Sequence, residues 1–168
     1  MTRTDIPPTW DERAMLTTFL DYTRATVREK CKGVSDEHAR LAPLPGSPLM
    51  TLAGLVSHVT WVEYSWIQVV FLGEEDAGPW TKEEPDREFS IALEVPIAQL
   101  LDEYDAQAER YRKLIAETDL STLSQRNMGR TGAPVTLGWI LMHLIEETAR
   151  HNGHLDIIRE TVDGVTGY

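Results

Sequence analysis

The stretch that decides the fold of this chain is TLGWILMHLIEETARHNGHLDIIRE, residues 136–160. It starts on Thr136, whose side chain can cap a helix N-terminus, and it lacks proline, so we predict one helix continuing to about Val162. Intervals of four, three, four, three and four residues place six side chains on one face of it: Ile140, Leu144, Glu147, His151, His154 and Ile158. The aliphatic members mark this face as the one that packs against a core, so its three polar members require an explanation.

Clusters of proline, glycine and short polar residues interrupt the rest of the chain. They are PLPGSP at 43–48, GEEDAGPWTKEEPD at 73–86 and GRTGAP at 129–134. Between them we predict helices over residues 10–31, over residues 52–72 with Thr51 as N-cap, and after Pro96. Because the alternating pattern of strands is lacking, we predict an all-α four-helix bundle, a single domain over residues 1–168. A long connection, expected to form an exposed acidic rim, joins its second and third helices.

The composition excludes several classes of protein. A net charge of −11 over 168 residues disfavours nucleic acids and anionic membrane surfaces, since both are bound through clustered lysine and arginine. The first residues, MTRTDIPPTW, lack the apolar core of a signal peptide, and no apolar run is long enough to cross a bilayer. The single cysteine, Cys31, cannot form an internal disulfide, fits a reducing compartment and is expected to be inert packing. We therefore expect a soluble, cytoplasmic protein.

Polar residues on inward helix faces indicate either a metal site or a hydrogen-bonded core. His58 lies on the inward face of the second predicted helix, as Glu147, His151 and His154 do on the fourth. A carboxylate buried there without a partner would be costly, and a neutral imidazole also needs hydrogen-bond partners. Imidazole nitrogens and carboxylate oxygens suit zinc, nickel or iron, and three protein ligands leave one coordination position open.

Helix geometry leaves two sets of ligands open. Either Glu147 with His151, or His151 with His154, can share an ion with His58 of the facing helix, because residues four or three apart lie on one face. Glu147 and His154 are separated by about 10 Å along the helix axis, which disfavours ligation by both at once. In the alternative without a metal, hydrogen bonds satisfy the same side chains inside a plain helical core.

At these residues the chain resembles the DinB-like, or YfiT-like, superfamily of metal-dependent four-helix proteins. The stretch TLAGLVSHVTWVEYSW at 51–66 is similar to the family's first histidine ligand and the aromatic residue eight positions later, here His58 and Trp66. In the fourth helix, Glu147 and His151 stand at the family's paired ligand positions. A glutamate there resembles mycothiol-dependent maleylpyruvate isomerases, and HLIEETARHNGHLD around it resembles mycothiol S-transferases more closely still.

The resemblance implies roles for individual residues. It implies a metal site formed by His58, Glu147 and His151, with zinc, nickel or iron as the ion. It leaves His154 either as the proton acceptor beside the ion or as a ligand in place of Glu147.

Two aromatic residues are added from their position in the sequence. Trp61 and Tyr64 follow His58 within two helical turns. We expect them to line the substrate pocket.

The activity implied by the resemblance is the conjugation of a low-molecular-weight thiol, mycothiol or bacillithiol, to an electrophile. A cation in the site would favour the thiolate, which is the reactive form. The alternatives are a mycothiol-dependent isomerase of a small unsaturated keto acid and a bundle in which the metal has no catalytic role. The expected partners are small molecules, and the resemblance also implies a homodimer.

Overall fold

The computed structural model describes residues 3–128 and 132–167 and is all-helical over them, which confirms the predicted all-α bundle. Its α-helices are α1 (Glu12–Lys30), α2 (Asp36–Ala39), α3 (Leu52–Tyr64), α4 (Arg87–Ile91), α5 (Ile97–Glu117) and α6 (Leu137–Asp163). The four long ones, α1, α3, α5 and α6, are those that the sequence predicts. Residues 129–131 of the third predicted breaker lie outside the described part. None of the helices described is both long and apolar enough to cross a bilayer.

Side-chain caps fix where the two site-bearing helices begin. Thr51 and Thr136 have extended backbones, and their side chains accept hydrogen bonds from the backbone N–H groups of Gly54 and Trp139. At the other end of α6, Gly164 has a φ of 75°, a conformation that glycine adopts without strain. The helix boundaries are thus set by local chemistry.

The second predicted helix consists of an α-helical part followed directly by a π-helical part. After Tyr64 the α3 backbone widens into a π-helical segment, Ser65–Phe71, which ends before Gly73. Such segments are rare and occur often at functional sites, because the extra residue per turn rotates the following side chains. Here the segment carries Trp66 towards α6.

Two apolar clusters form the core, and α6 contributes to both. It passes from one cluster at Leu144 to the other at Leu155, both of which are almost completely buried. Glu147 and His151 lie in the interval between these clusters. The polar residues on the predicted inward face of α6 therefore lie between the two apolar clusters, at one level of the bundle.

Buried polar contacts tie the helices together around this level. The Asn152 side-chain amide on α6 donates a 3.0 Å hydrogen bond to the Thr23 carbonyl of α1. Arg24 of α1 forms an ion pair with Glu63 of α3, and both side chains are at most 5% exposed. These contacts fix α1 against the two helices that carry the predicted ligands.

The long connection is exposed at its start, as predicted, but its end packs back on α3. The acidic residues of 74–76 and 83–84 are exposed, and Trp80 contacts Trp61 at 5.9 Å between ring centroids. The short helix α4 then lies against α3, where the Ser57 hydroxyl donates a 2.6 Å hydrogen bond to the Glu88 carbonyl. This contact brings α4 next to His58.

Candidate metal centre

Three of the residues singled out from the sequence converge between α3 and α6. One ligand atom from each of His58, Glu147 and His151 lies within 4.8 Å of the other two. The His58 and His151 rings are 4.7 Å apart between centroids, and His151 Nε2 lies 3.6 Å from Glu147 Oε1. The three side chains are 12–19% exposed, so the group can be reached from solvent.

His154 lies on the other side of the His151 ring. Its Nδ1 is 3.2 Å from His151 Nδ1, whereas Glu147 approaches His151 at Nε2. One ring nitrogen of His151 therefore faces the group of three and the other faces His154. Of the two ligand sets that helix geometry leaves open, the set with Glu147 is the one whose atoms are brought together.

Two residues that the sequence analysis did not identify hold His58. Glu88 Oε1 lies 3.2 Å from His58 Nδ1, and the Phe89 ring stacks on the imidazole at 4.6 Å with an angle of 19° between the planes. Glu88 is 7% exposed, and its second oxygen, Oε2, has no hydrogen-bond partner among the described residues. A carboxylate behind a histidine is the usual outer partner of a metal-binding imidazole, because it fixes the ring and its tautomer.

The donor set fits a divalent transition metal. Three atoms this close to one another can meet at a common point with small side-chain rotations, as bonds of about 2.0–2.2 Å to zinc would require. Burial, together with the neighbouring His58, lowers the pKa of His151 to about 4. That imidazole is therefore neutral near pH 7, which is the form that binds a metal.

A cleft of about 1030 Å³ opens beside Glu147, between the π-helical segment and α6. Its lining includes three aromatic rings and three charged side chains: Trp66, Trp139, His143, Glu146, Glu147 and Arg150. Glu147 thus belongs both to the group of three and to the cleft wall. A molecule in the cleft would therefore lie next to Glu147 of the candidate centre.

Trp61 and Tyr64, predicted to line the pocket, contact the long connection. Trp61 lies against Trp80, and the Tyr64 hydroxyl donates to the Glu75 carbonyl and accepts from the Ala77 N–H. Neither residue is part of the wall of the cleft beside Glu147.

Comparison with protein families finds one match that spans most of the chain. Residues 15–164 match the Mycothiol-S-transferase family. The comparison with curated proteins found none that matches.

A solved structure has a similar fold. It is the crystal structure of a conserved protein from Enterococcus faecalis, with a TM-score of 0.65 and 16% sequence identity over 90% of this chain and 96% of that one. At this identity the similarity concerns the fold alone.

Proposed function

The chain belongs to the mycothiol-S-transferase family, and on that premise we propose that it is a metal-dependent thiol S-transferase that conjugates a small thiol, mycothiol, to electrophiles. Support comes from one observation, the convergence of ligand atoms from His58, Glu147 and His151 on two facing helices. Two imidazoles and one carboxylate would hold a divalent ion, with zinc as the first choice, and leave a position open.

A divalent cation held here would stabilise the thiolate form of a bound thiol, which is the nucleophile in conjugation. The protein's part is to hold the ligands and to orient their rings. Glu88 and Phe89 hold the His58 ring through a 3.2 Å contact at Nδ1 and a stacked contact on its face. His154 contacts the outer nitrogen of His151, where it can orient that ring.

The reaction balances without an oxidant or reductant. The S–H bond of the thiol breaks, and its proton passes to water, since His154 lies behind the His151 ring. The sulfur lone pair then forms a bond to an electrophilic carbon, and the leaving group departs with its electron pair. With monochlorobimane as electrophile, the products are the thioether, chloride and the proton.

The test uses purified protein stripped with a chelator and reloaded with zinc. We expect monochlorobimane fluorescence to rise with mycothiol only when zinc is present. A His58→Ala/His151→Ala variant should bind no zinc and give no turnover. His38→Ala, which changes a histidine of α2, is the control and should behave as wild type.

Other results would reject this function in distinct ways. Zinc binding without thiol consumption, and with a large loss of thermal stability on chelation, would indicate a structural metal. Isomerisation of a small unsaturated keto acid with the thiol recovered unchanged would indicate the isomerase. A wild-type protein that binds no zinc at all would indicate a hydrogen-bonded core.

A further inference from the structure

The cleft beside Glu147 has an aromatic wall. Trp139 stacks on His143 at 5.2 Å between centroids with 11° between the planes, and Trp66 contacts both rings at 5.3 and 4.6 Å. Trp139 is 41% exposed although it packs against two other rings. An exposed indole in a cleft offers a flat surface on which the C–H face of a sugar or another cyclic polyol can stack.

The charges of the cleft are already paired with each other. Arg150 forms an ion pair with Glu146, and its Nη1 lies 3.4 Å from Glu147 Oε2. Its guanidinium is thus engaged on both sides by carboxylates. Among the described lining residues, no cation is therefore left unpaired to receive a carboxylate of a ligand. Hydroxyl groups, in contrast, can hydrogen-bond to these same side chains.

The cleft is larger than the cysteine part of a thiol cosubstrate would fill. Trp139 and Glu147 are eight residues apart on α6, about 12 Å along the axis. A ligand with its sulfur beside Glu147 and its body on Trp139 would therefore span about two sugar rings. The volume of about 1030 Å³ accommodates such a molecule.

We propose that this cleft binds the uncharged, hydroxyl-rich body of the thiol cosubstrate, with Trp139 as its stacking surface, and that it selects such thiols over carboxylated ones. This inference rests on the proposed function and adds to it the residues that choose the thiol. Mycothiol has the required chemistry, because its N-acetylcysteine is joined through an amide to a sugar–inositol body without carboxylates. Glutathione, with two carboxylates, does not.

The stacking surface is tested by calorimetric binding of mycothiol to the zinc-loaded protein. Trp139→Ala should raise the dissociation constant by about tenfold, and Trp139→Phe, which keeps a ring, should restore much of the affinity. The matched control is Phe19→Ala, which removes an aromatic side chain of equal exposure (42%) from α1, outside this cleft. N-acetylcysteine amide, which shares the thiol and carries no carboxylate but lacks the sugar body, should lose its disadvantage relative to mycothiol in Trp139→Ala.

The charge argument is tested by changing one carboxylate. Glu146→Lys should increase binding of glutathione relative to mycothiol by about tenfold or more. The control is Glu160→Lys, the same change in net charge on the same helix but about 21 Å further along its axis, beyond the screening length at physiological salt. Equal effects of the two substitutions would refute a local role for Glu146.

The outcomes separate this inference from the proposed function. If Trp139→Ala binds mycothiol as Phe19→Ala does, or if only the Michaelis constant of the electrophile rises, the cleft does not hold the thiol body and the inference is wrong, while turnover persists. If the wild-type protein has no zinc-dependent turnover, the proposed function fails, and calorimetry with mycothiol still decides whether Trp139 contributes to binding.

Discussion

Glu88 is the residue whose replacement gives the sharpest test of the candidate centre. It lies in α4, thirty residues after His58, and its only side-chain role in the described structure is the 3.2 Å contact with His58 Nδ1. Glu88→Gln keeps the length of the side chain and an oxygen that can accept from the imidazole, but removes the charge. We therefore expect the geometry of the site to survive and its affinity for metal to fall.

The size of the effect follows from the kind of hydrogen bond lost. A hydrogen bond to a charged group contributes about 1.5–3 kcal/mol, and one between neutral groups about 0.5–1.5 kcal/mol. The difference, about 1–1.5 kcal/mol, corresponds to a zinc affinity lower by roughly tenfold. Glu88→Ala removes the contact altogether and should weaken zinc binding by about 10–100-fold, the range seen when an outer partner of a metal ligand is deleted.

The measurement is a zinc titration against a chromophoric chelator, together with the visible spectrum of the cobalt-loaded protein. The melting temperature of the metal-free protein is the second readout. Since Glu88 is buried and its Oε2 has no partner in the described part of the chain, Glu88→Gln should not lower that temperature. Glu84→Gln, an exposed glutamate of the same connection, is the control.

Two results would refute this reasoning. Zinc affinities within twofold of wild type for both Glu88→Gln and Glu88→Ala, in folded proteins, would show that the carboxylate does not act on His58. A loss of affinity accompanied by an equal loss of metal-free stability would show that Glu88 only supports the fold.

Three further results are expected. Glu147→Gln should weaken zinc binding more than His154→Gln in the same titration, because Glu147 lies with the ligand group while His154 lies behind the His151 ring. The reverse order would mean that His154, and not Glu147, is the third ligand. Cys31 should resist iodoacetamide at pH 8 until the protein is unfolded, because burial raises its pKa to about 12 and leaves about one thiol in ten thousand ionised. Mass spectrometry that detects rapid labelling of the folded chain would contradict this. Glu63→Ala should lower the free energy of unfolding in urea by up to about 3–5 kcal/mol, since Nε and Nη2 of the buried Arg24 lose their partner while Nη1 keeps Asp21. A loss under about 1 kcal/mol would contradict a buried pair.

Several parts of the site were open to prediction because they depend on helix periodicity. The spacing of residues in α6 predicted that Glu147 and His151 lie on the inward face together with Ile140 and Ile158, both of which are fully buried. The same periodicity placed His58 on the facing side of α3. Periodicity could not choose between Glu147 and His154, because both lie within one turn of His151. The choice depends on which ring nitrogen each one approaches, and packing around the rings decides that.

Other parts of the site could not be predicted from any pattern in the sequence. Glu88 follows an acidic connection predicted to be an exposed rim, and nothing in its neighbourhood distinguishes it from the exposed glutamates before it. The hydrogen bond from Ser57 to the Glu88 backbone and the stacking of Phe89 on His58 are among the contacts that hold α4 against α3. The π-helical segment was likewise missed, since a helix with one wider turn has the same residue preferences as a regular one.

The sequence by itself determined the four long helices, their threonine caps and the polar stripe of α6, because helix ends and faces depend on residues at most a few positions apart. Tertiary structure alone decided which polar groups meet, how His58 is held and where the cleft opens. These features join residues thirty to ninety positions apart, and their positions depend on how whole helices pack, for which no local pattern codes.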